Sequence, residues 1–472
     1  MLGGIGTGLV IGTVGVSGAS SATEQVFVHS RTGLVGDAIG AVEALGGTVV
    51  QRYDNFDFIV AEIPANERER LLSDVRIAFV ESDDRMGIPS DWVPSLGDLL
   101  GPGDNSDCTA HPSQESSWGI ERIGADTVDS DGSSVDIGIL DTGIQSSHCS
   151  LDVAGGRNFT SSLSSSNYED GHGHGTHVAG IAGASDNDLG VVGVAPASKL
   201  YAVKVLDDSG SGRYSWLVAG IDWCMSNDIE LISMSLGGES SSDSVDRAIE
   251  EATAAGHLLL CAAGNEGQDG DGCTPDTMIY PATHPDVIAV TALDEDDSFA
   301  SYSSVGSAID LLAPGSDILS TYTDNRYARA SGTSMACPFV TGVAALVWER
   351  RGADGPGPNE SVREILRESA ETVLGTCEEG SGLVDAEAAT DEADDRSGNG
   401  DPGDDDPENS DDRPGSDDEG SRDDRSGSDG EGDGAGSRSD NGFDGRSGEG
   451  FVARIRQWIS NALDWVAGVL RK

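Results

Sequence analysis

Residues 330–350 read ASGTSMACPFVTGVAALVWER. After the small-residue turn GTSMA, apolar side chains recur at helical spacing (Phe339, Val340, Val343, Leu346, Val347), so a buried helix is expected there. Pro338 is expected in its first turn, where a missing N–H costs nothing. Ser334 then sits at a helix N-terminus, where free amides and the dipole favour developing negative charge. A serine capping a buried helix is the commoner meaning of such a residue alone. Its weight depends on what accompanies it.

Working outward, residues 118–389 alternate strand and helix patterns. The runs VDIGIL (135–140), KLYAVKVL (199–206), ELISMSL (230–236), HLLLCAA (257–263) and DVIAVTAL (286–293) read as buried parallel strands. YSWLVAGIDWCMSN (214–227) and SVDRAIEEATAAG (244–256) read as helices between them. The expected class is α/β, a mostly parallel sheet between helices. Several runs end in polar or glycine residues where the ligand crevice of such a sheet opens.

Two of those ends carry chemistry. Asp141 closes VDIGIL and enters DTG, and His174 stands in GHGHGTHVAG (171–180), ahead of an apolar helix. Nucleophilic catalysis needs a hydroxyl, an imidazole to take its proton and a carboxylate to fix the imidazole tautomer. Singly these are a turn aspartate, a loop histidine and a capping serine. In the order Asp, His, Ser on an α/β pattern they form a catalytic constellation.

With these motifs the chain resembles the subtilisin-like serine peptidases (subtilases), and more narrowly the halolysin-type enzymes of salt-loving archaea. The resemblance covers residues 114–389 through DTGI, HGTHVAG, GVAP, MSLGG, AAGNEG and GTSMACP. It implies a three-layer subtilisin-like fold preceded by a small α+β propeptide domain. It also implies peptide-bond hydrolysis through an acyl-enzyme on Ser334, with His174 as base then acid and Asp141 orienting His174. Asn265, in AAGNEG, and the Ser334 backbone N–H would hold the oxyanion. Protein and peptide substrates would lie as an added strand between Gly210, Ser211, Gly212 and Ser235, Leu236, Gly237. Ala262, Ala263 and Gly264 suggest an open, apolar primary pocket. No catalytic cofactor is implied. A structural calcium is, with Gln114, Ser185, Asn187, Leu189 and Val191 on the ligand positions. Ser150 stands where that site has an aspartate, which leaves Asp152 or Asp186 as substitutes and a solvated loop as the alternative. His172 is read as a loop residue, His177 as a buried helix residue and Cys337 as packing.

The 472 residues carry a formal net charge of −55 and three lysines, Lys199, Lys204 and Lys472. Such acidity excludes a nucleic-acid partner and suits solubility in high salt. Seven cysteines show no metal-ligand spacing. Cys261 and Cys337 read as core, and the others can pair if the protein is exported. Residues 1–22 look like the apolar part of an export signal without its basic start. A βαββαβ order runs through 25–83, so 25–86 is expected to be the inhibitory propeptide, a binding partner in its own right. The Pro/Gly/Asp/Ser-rich stretch 87–116 is expected to be a linker holding the processing site, and 117–390 the catalytic domain. Residues 391–450, with 22 Asp and Glu against 6 Arg (22 − 6, a net −16), cannot bury enough apolar surface to order themselves. Residues 451–472 form an amphipathic pattern of net charge +3 (4 − 1), suited to a membrane surface. A secreted or surface-associated monomer is expected.

Overall fold

The βαββαβ order read through 25–83 is the order observed. The computed structural model describes residues 22–397 except 90, 91, 93, 96–99, 102–107, 109–111, 161–164, 268–272, 275 and 353–357. The export-signal segment, the acidic stretch beyond 397 and the amphipathic pattern at 451–472 lie outside the described residues. Numbered in chain order, the first elements are β1 (Thr23–Ser30), α1 (Val35–Ala44), β2 (Thr48–Arg52), β3 (Phe58–Pro64), α2 (Arg68–Leu72) and β4 (Ile77–Ser82). They form an antiparallel sheet in the order β2-β3-β1-β4. One face is covered by Ala38, Ala41 and Val42 of α1, packed on Val26, Val28, Ile59 and Ile63. The other face joins a different core: Phe27, Phe58 and Val60 pack with residues of the main domain. A short strand β5 (Arg85–Gly87) follows.

The main domain contains α3 (Trp118–Arg122), β6 (Asp136–Asp141), β7 (Val153–Asn158), α4 (His174–Gly183), β8 (Lys199–Lys204), β9 (Ser211–Arg213), α5 (Tyr214–Ser226), β10 (Leu231–Met234), α6 (Asp243–Ala255), β11 (Leu258–Ala262) and β12 (Val287–Leu293). It continues with β13 (Leu311–Pro314), β14 (Ile318–Tyr322), β15 (Arg326–Ala330), α7 (Thr333–Arg351), α8 (Pro358–Glu368) and α9 (Ala386–Ser397). Seven strands form a parallel sheet ordered β13-β12-β11-β10-β6-β8-β7. All five apolar runs read as strands are in it. Side-chain alternation divides each strand between two cores. Ile137, Ile139, Leu258 and Leu260 face α4 and α7, whereas Leu140, Ile232, Leu259 and Cys261 face α5 and α6. The result is a three-layer α/β fold.

Helix α7 is buried from Thr333 to Trp348, which explains why its sequence is apolar on all sides. It begins at Thr333, so Pro338 lies in the second turn and not in the first, as its position had suggested. A prolyl nitrogen there cannot donate to the Ser334 carbonyl. The Ser235 hydroxyl donates to that carbonyl instead, at 3.0 Å. The helix therefore keeps its proline without a lost hydrogen bond.

Candidate active site

Strand order reverses at β6, whose neighbours are β8 on one side and β10 on the other. This is where an open α/β sheet offers a crevice at its strand ends. Asp141 is the last residue of β6 and His174 the first of α4. Gly175 lets them meet: a Cβ there would lie 2.2 Å from the Gly143 carbonyl oxygen and 3.1 Å from Asp141 Cβ. The His174 Nδ1–H donates to Asp141 Oδ1 and Oδ2 at 2.8 and 2.9 Å, and both residues are fully buried. With Nδ1 protonated, Nε2 carries the lone pair and is the basic nitrogen.

The loop before α4 is organised by a residue that the sequence reading passed over. Asp170 Oδ1 accepts from Thr142 Oγ1 and from the His172 and Gly173 amides, and Oδ2 accepts from Thr176 N and Oγ1, all within 2.7–2.9 Å. Its side chain thus fixes both the turn after Asp141 and the start of the helix bearing His174. An acidic residue four positions before a helix-opening histidine was the available signal.

Ser334 is the second residue of α7, which packs on α4. His174 Nε2 and Ser334 Oγ are both buried, and neither has a hydrogen-bond partner among the described residues. Such bonds are commonly long before substrate binds and tighten afterwards. Asn265 follows β11, and its Oδ1 accepts from Thr333 N and Oγ1, both at 2.9 Å. That contact turns the amide nitrogen toward Gly332. A Cβ on Gly332 would lie 3.2 Å from Asn265 Nδ2 and 3.7 Å from Ser334 N. Two N–H donors therefore converge beside a glycine at φ +152°, a conformation other residues rarely adopt. A backbone N–H and a side-chain amide are the pair of donors an oxyanion requires.

The cleft is filled by the chain itself. β5 pairs antiparallel with β9, placing Met86 opposite Gly212 and Gly87 opposite Ser211. On the other side Gly87 exchanges both backbone hydrogen bonds with Gly237, at 2.8 and 2.9 Å, and Ile88 N donates to Gly210 O at 3.1 Å. Among the described residues Ser235 and Leu236, also expected to bind substrate, make no bridge to this strand. The Ser235 hydroxyl points to Ser334, and Leu236 is buried, its carbonyl accepting from the Cys261 thiol. Farther along, the Trp92 ring lies 4.9 Å from the His174 ring.

Residues 132–416 match the model of the subtilase family. The chain belongs to that family. It is 38% identical over 347 residues to subtilisin NAT of Bacillus subtilis subsp. natto, covering 73% of this chain and 83% of the relative. With the subtilisin of Bacillus pumilus it shares 44% identity over 276 residues, 58% of this chain and 98% of the relative. A thermostable alkaline protease of Halalkalibacterium halodurans is 39% identical over 346 residues, covering 72% and 85%. This subtilase is a serine-type endopeptidase, a class that needs no catalytic cofactor.

Calcium is common in subtilases, and Gln114, Ser185, Asn187, Leu189 and Val191 are the residues that would hold it here. They do meet in this subtilase, but the oxygens of Gln114, Asn187 and Leu189 accept from N–H and O–H groups. Gln114 Oε1 accepts from the Asn187 and Asp188 amides at 3.1 and 3.0 Å, and Asn187 Oδ1 from Leu189 N at 3.2 Å. The Ser150 hydroxyl donates to the Leu189 carbonyl at 3.2 Å, where an aspartate would present charge. Asp186 is paired with the Gln114 amide at 2.7 Å, and Asp152 is exposed. Among the described residues no three His, Cys, Asp or Glu side chains converge. Donor N–H groups directed at the ligand oxygens are the opposite of a cation cage. The calcium expectation is therefore not met by this set. A disulfide joins Cys149, next to Ser150, to Cys108, and a second joins Cys273 to Cys377. Cys224, Cys261 and Cys337 are free and buried, as expected for the last two. His177 is buried as well, its Nε2–H donating to the Ala328 carbonyl at 3.0 Å, and burial pushes its pKa down to about 4.

Proposed function

We propose that this subtilase is exported as a self-processed zymogen and hydrolyses proteins in high salt through Ser334, His174 and Asp141. The observation that carries this reading is the Asp141–His174 pair, with the unpartnered Nε2 and Ser334 Oγ at the N-termini of packed helices. Nε2 takes the Ser334 proton as Oγ attacks the substrate carbonyl carbon, and Asp141 holds the imidazolium. The oxyanion accepts from Ser334 N–H and Asn265 Nδ2. The imidazolium then protonates the leaving amine. Water, deprotonated by the same nitrogen, cleaves the acyl-enzyme and restores Ser334. Asn265→Ala is expected to lower kcat by about 10²–10³-fold with little change in KM, because the donor acts on charge formed only in the transition state. An unchanged kcat would remove Asn265 from this role.

The α+β unit at 25–86 is read as the inhibitory propeptide because β5, at its end, lies in the cleft in the place of substrate. Processing is placed in 87–116, upstream of the Cys108–Cys149 link. Export is supported by the apolar segment before residue 23 and by the two disulfides. Among the described residues no helix is long and apolar enough to cross a membrane. The net charge of −55 supports the high-salt setting. The reading is tested by expressing wild type and Ser334→Ala in multimolar KCl and following chain length by mass spectrometry. Wild type shortens to a product beginning within 87–116, whereas the variant stays whole. Equal shortening of both would contradict self-processing.

The 185–191 loop is taken to be held by hydrogen bonds and the neighbouring disulfide, without metal. EDTA is then expected to leave the melting temperature unchanged, whereas reduction lowers it. The two disulfides, with sequence separations of 41 and 104, restrain the unfolded chain by about 4 and about 5 kcal/mol in the chain-entropy model. A melting temperature that drops by several degrees in EDTA would restore the calcium site.

A further inference from the structure

Lysine is nearly absent from this chain, with three residues in 472 against 25 arginines (28 − 3). One of the three, Lys204, is only 4% exposed. A buried ammonium is costly unless it is paired and hydrogen-bonded. Lys204 ends β8 and pairs with Asp141 in the parallel ladder of β6 and β8. Its Nζ donates to the Thr142 carbonyl and, at 2.8 Å, to Asp208 Oδ1.

Those two partners bring three loops of the site onto one charge. Thr142 follows Asp141, and its N–H donates to Asp141 Oδ1 at 2.7 Å. Its hydroxyl donates to Asp170 Oδ1 and accepts from the Gly175 amide, both at 2.9 Å. Lys204 holds the polar group that is left, the Thr142 carbonyl. Asp208 lies against the loop that leads to His174: a Cβ on Gly171 would lie 2.5 Å from Asp208 Cγ and 2.7 Å from each carboxylate oxygen. The same Asp208 belongs to the turn 207–210, which Gly210 N closes by donating to the Asp207 carbonyl at 2.9 Å. Gly210 O is the acceptor of the Ile88 amide, and Gly212 faces Met86 across β5 and β9. The ammonium thus stands between the turn after Asp141, the loop before His174 and the segment that receives the strand in the cleft.

We propose that Lys204 is a positioning residue that couples docking of a substrate strand on Gly210 and Gly212 to the Asp141–His174 pair. A strand bonded to the 207–212 segment steadies Asp208, and through the ammonium it steadies the Thr142 carbonyl and the carboxylate that holds the imidazole. Alignment gained in this way acts on the imidazolium, which forms only in the transition state, so it appears in kcat and not in KM. This role rests on the peptidase reading of the site and adds how that site responds to the length of its substrate.

The test compares acetyl-Met-Gly-Ile-Ala p-nitroanilide, whose isoleucine N–H can reach the Gly210 carbonyl, with acetyl-Ala p-nitroanilide, which lacks that group. Processed enzyme is used in multimolar KCl, and variants that do not shorten by themselves are cut by immobilised wild-type enzyme, which is then removed. Wild type is expected to show a kcat about 10-fold or more higher on the longer peptide, because remote contacts are expressed at the reacting centre. Lys204→Met, which keeps the apolar stem, lowers kcat on the longer peptide by about 10-fold with KM within about 3-fold, and most of the difference between the peptides disappears. Lys204→Arg, which keeps the charge, restores most of that difference. A side chain that only fills the strand end would give the reverse order, methionine tolerated and arginine not. Asp208→Asn, at a side chain 68% exposed, covers the case in which Lys204→Met fails to fold, and narrows the kcat ratio by about 3-fold. Equal wild-type kcat on the two peptides, a ratio unmoved in whichever variant folds, or a loss confined to KM would overturn the proposal alone. Hydrolysis of neither peptide by wild type would overturn it together with the peptidase reading.

Discussion

Ser334→Ala lowers casein hydrolysis in multimolar KCl by about 10⁶-fold, a scale carried over from nucleophile loss in subtilisins and not one that this geometry yields. The direction follows from the site. Ser334 Oγ is a buried hydroxyl without a hydrogen-bond partner among the described residues, and Ser334 N and Asn265 Nδ2 flank Gly332 beside it. Removing it leaves the oxyanion donors in place, but the uncleaved variant also keeps β5 in the cleft, so casein hydrolysis falls at least that far. His174→Ala is expected to cost as much, because the two act as a unit, and the double variant little more than either. Additive losses in the double variant, measured with the same casein assay, would show that they do not share one step.

The uncleaved Ser334→Ala chain loses about 2 kcal/mol of stability between pH 7 and pH 5 through one residue, His29. The side chain lies in β1 and is 2% exposed, between the rings of Phe58 at 4.4 Å and Phe79 at 3.9 Å. Its Nε2 lies 2.8 Å from Ser244 Oγ at the start of α6, and Nδ1 has no partner among the described residues. Ser244 Oγ donates to Glu81, so Nε2 is the protonated nitrogen and donates to the serine. Arg247, which pairs with Asp57, adds positive charge nearby. Burial first, and then Arg247, push the His29 pKa down from 6.5 to about 3. A depressed histidine pKa means that the unfolded chain binds the proton first. Stability is therefore complete above pH 6.5 and falls as pH drops toward 3, which gives about 2 kcal/mol by pH 5. Melting curves at pH 7 and 5 read the loss, and His29→Gln flattens the difference. The same pH dependence in both chains would place the effect elsewhere.

The parts of this molecule written as period were legible in the sequence. Five apolar runs gave five of the parallel strands, because a strand buried on both faces needs little else. β7 was not legible: VAGGRN has no apolar run, and it pairs at the sheet edge through backbone. β13 was too short, four residues ending in proline. In the site, Asp141 and His174 could be read from the motifs that place them at a strand end and a helix start. What escaped were contacts between distant segments. The proline in α7 is tolerated because Ser235, 99 residues upstream of Ser334, takes over a carbonyl. The calcium ligands align in sequence, yet hydrogen-bond direction decides whether they face a cation. Sequence spacing reports residue type and order, and these outcomes turned on orientation.

The most direct test of the central claim is mass spectrometry of the processed enzyme after treatment with an organophosphorus fluoride, a reagent that phosphorylates activated serine hydroxyls. The expected result is one adduct, on the peptide containing Ser334, together with full loss of casein hydrolysis. An unmodified Ser334 in inactivated enzyme, or an adduct on another serine, would contradict it.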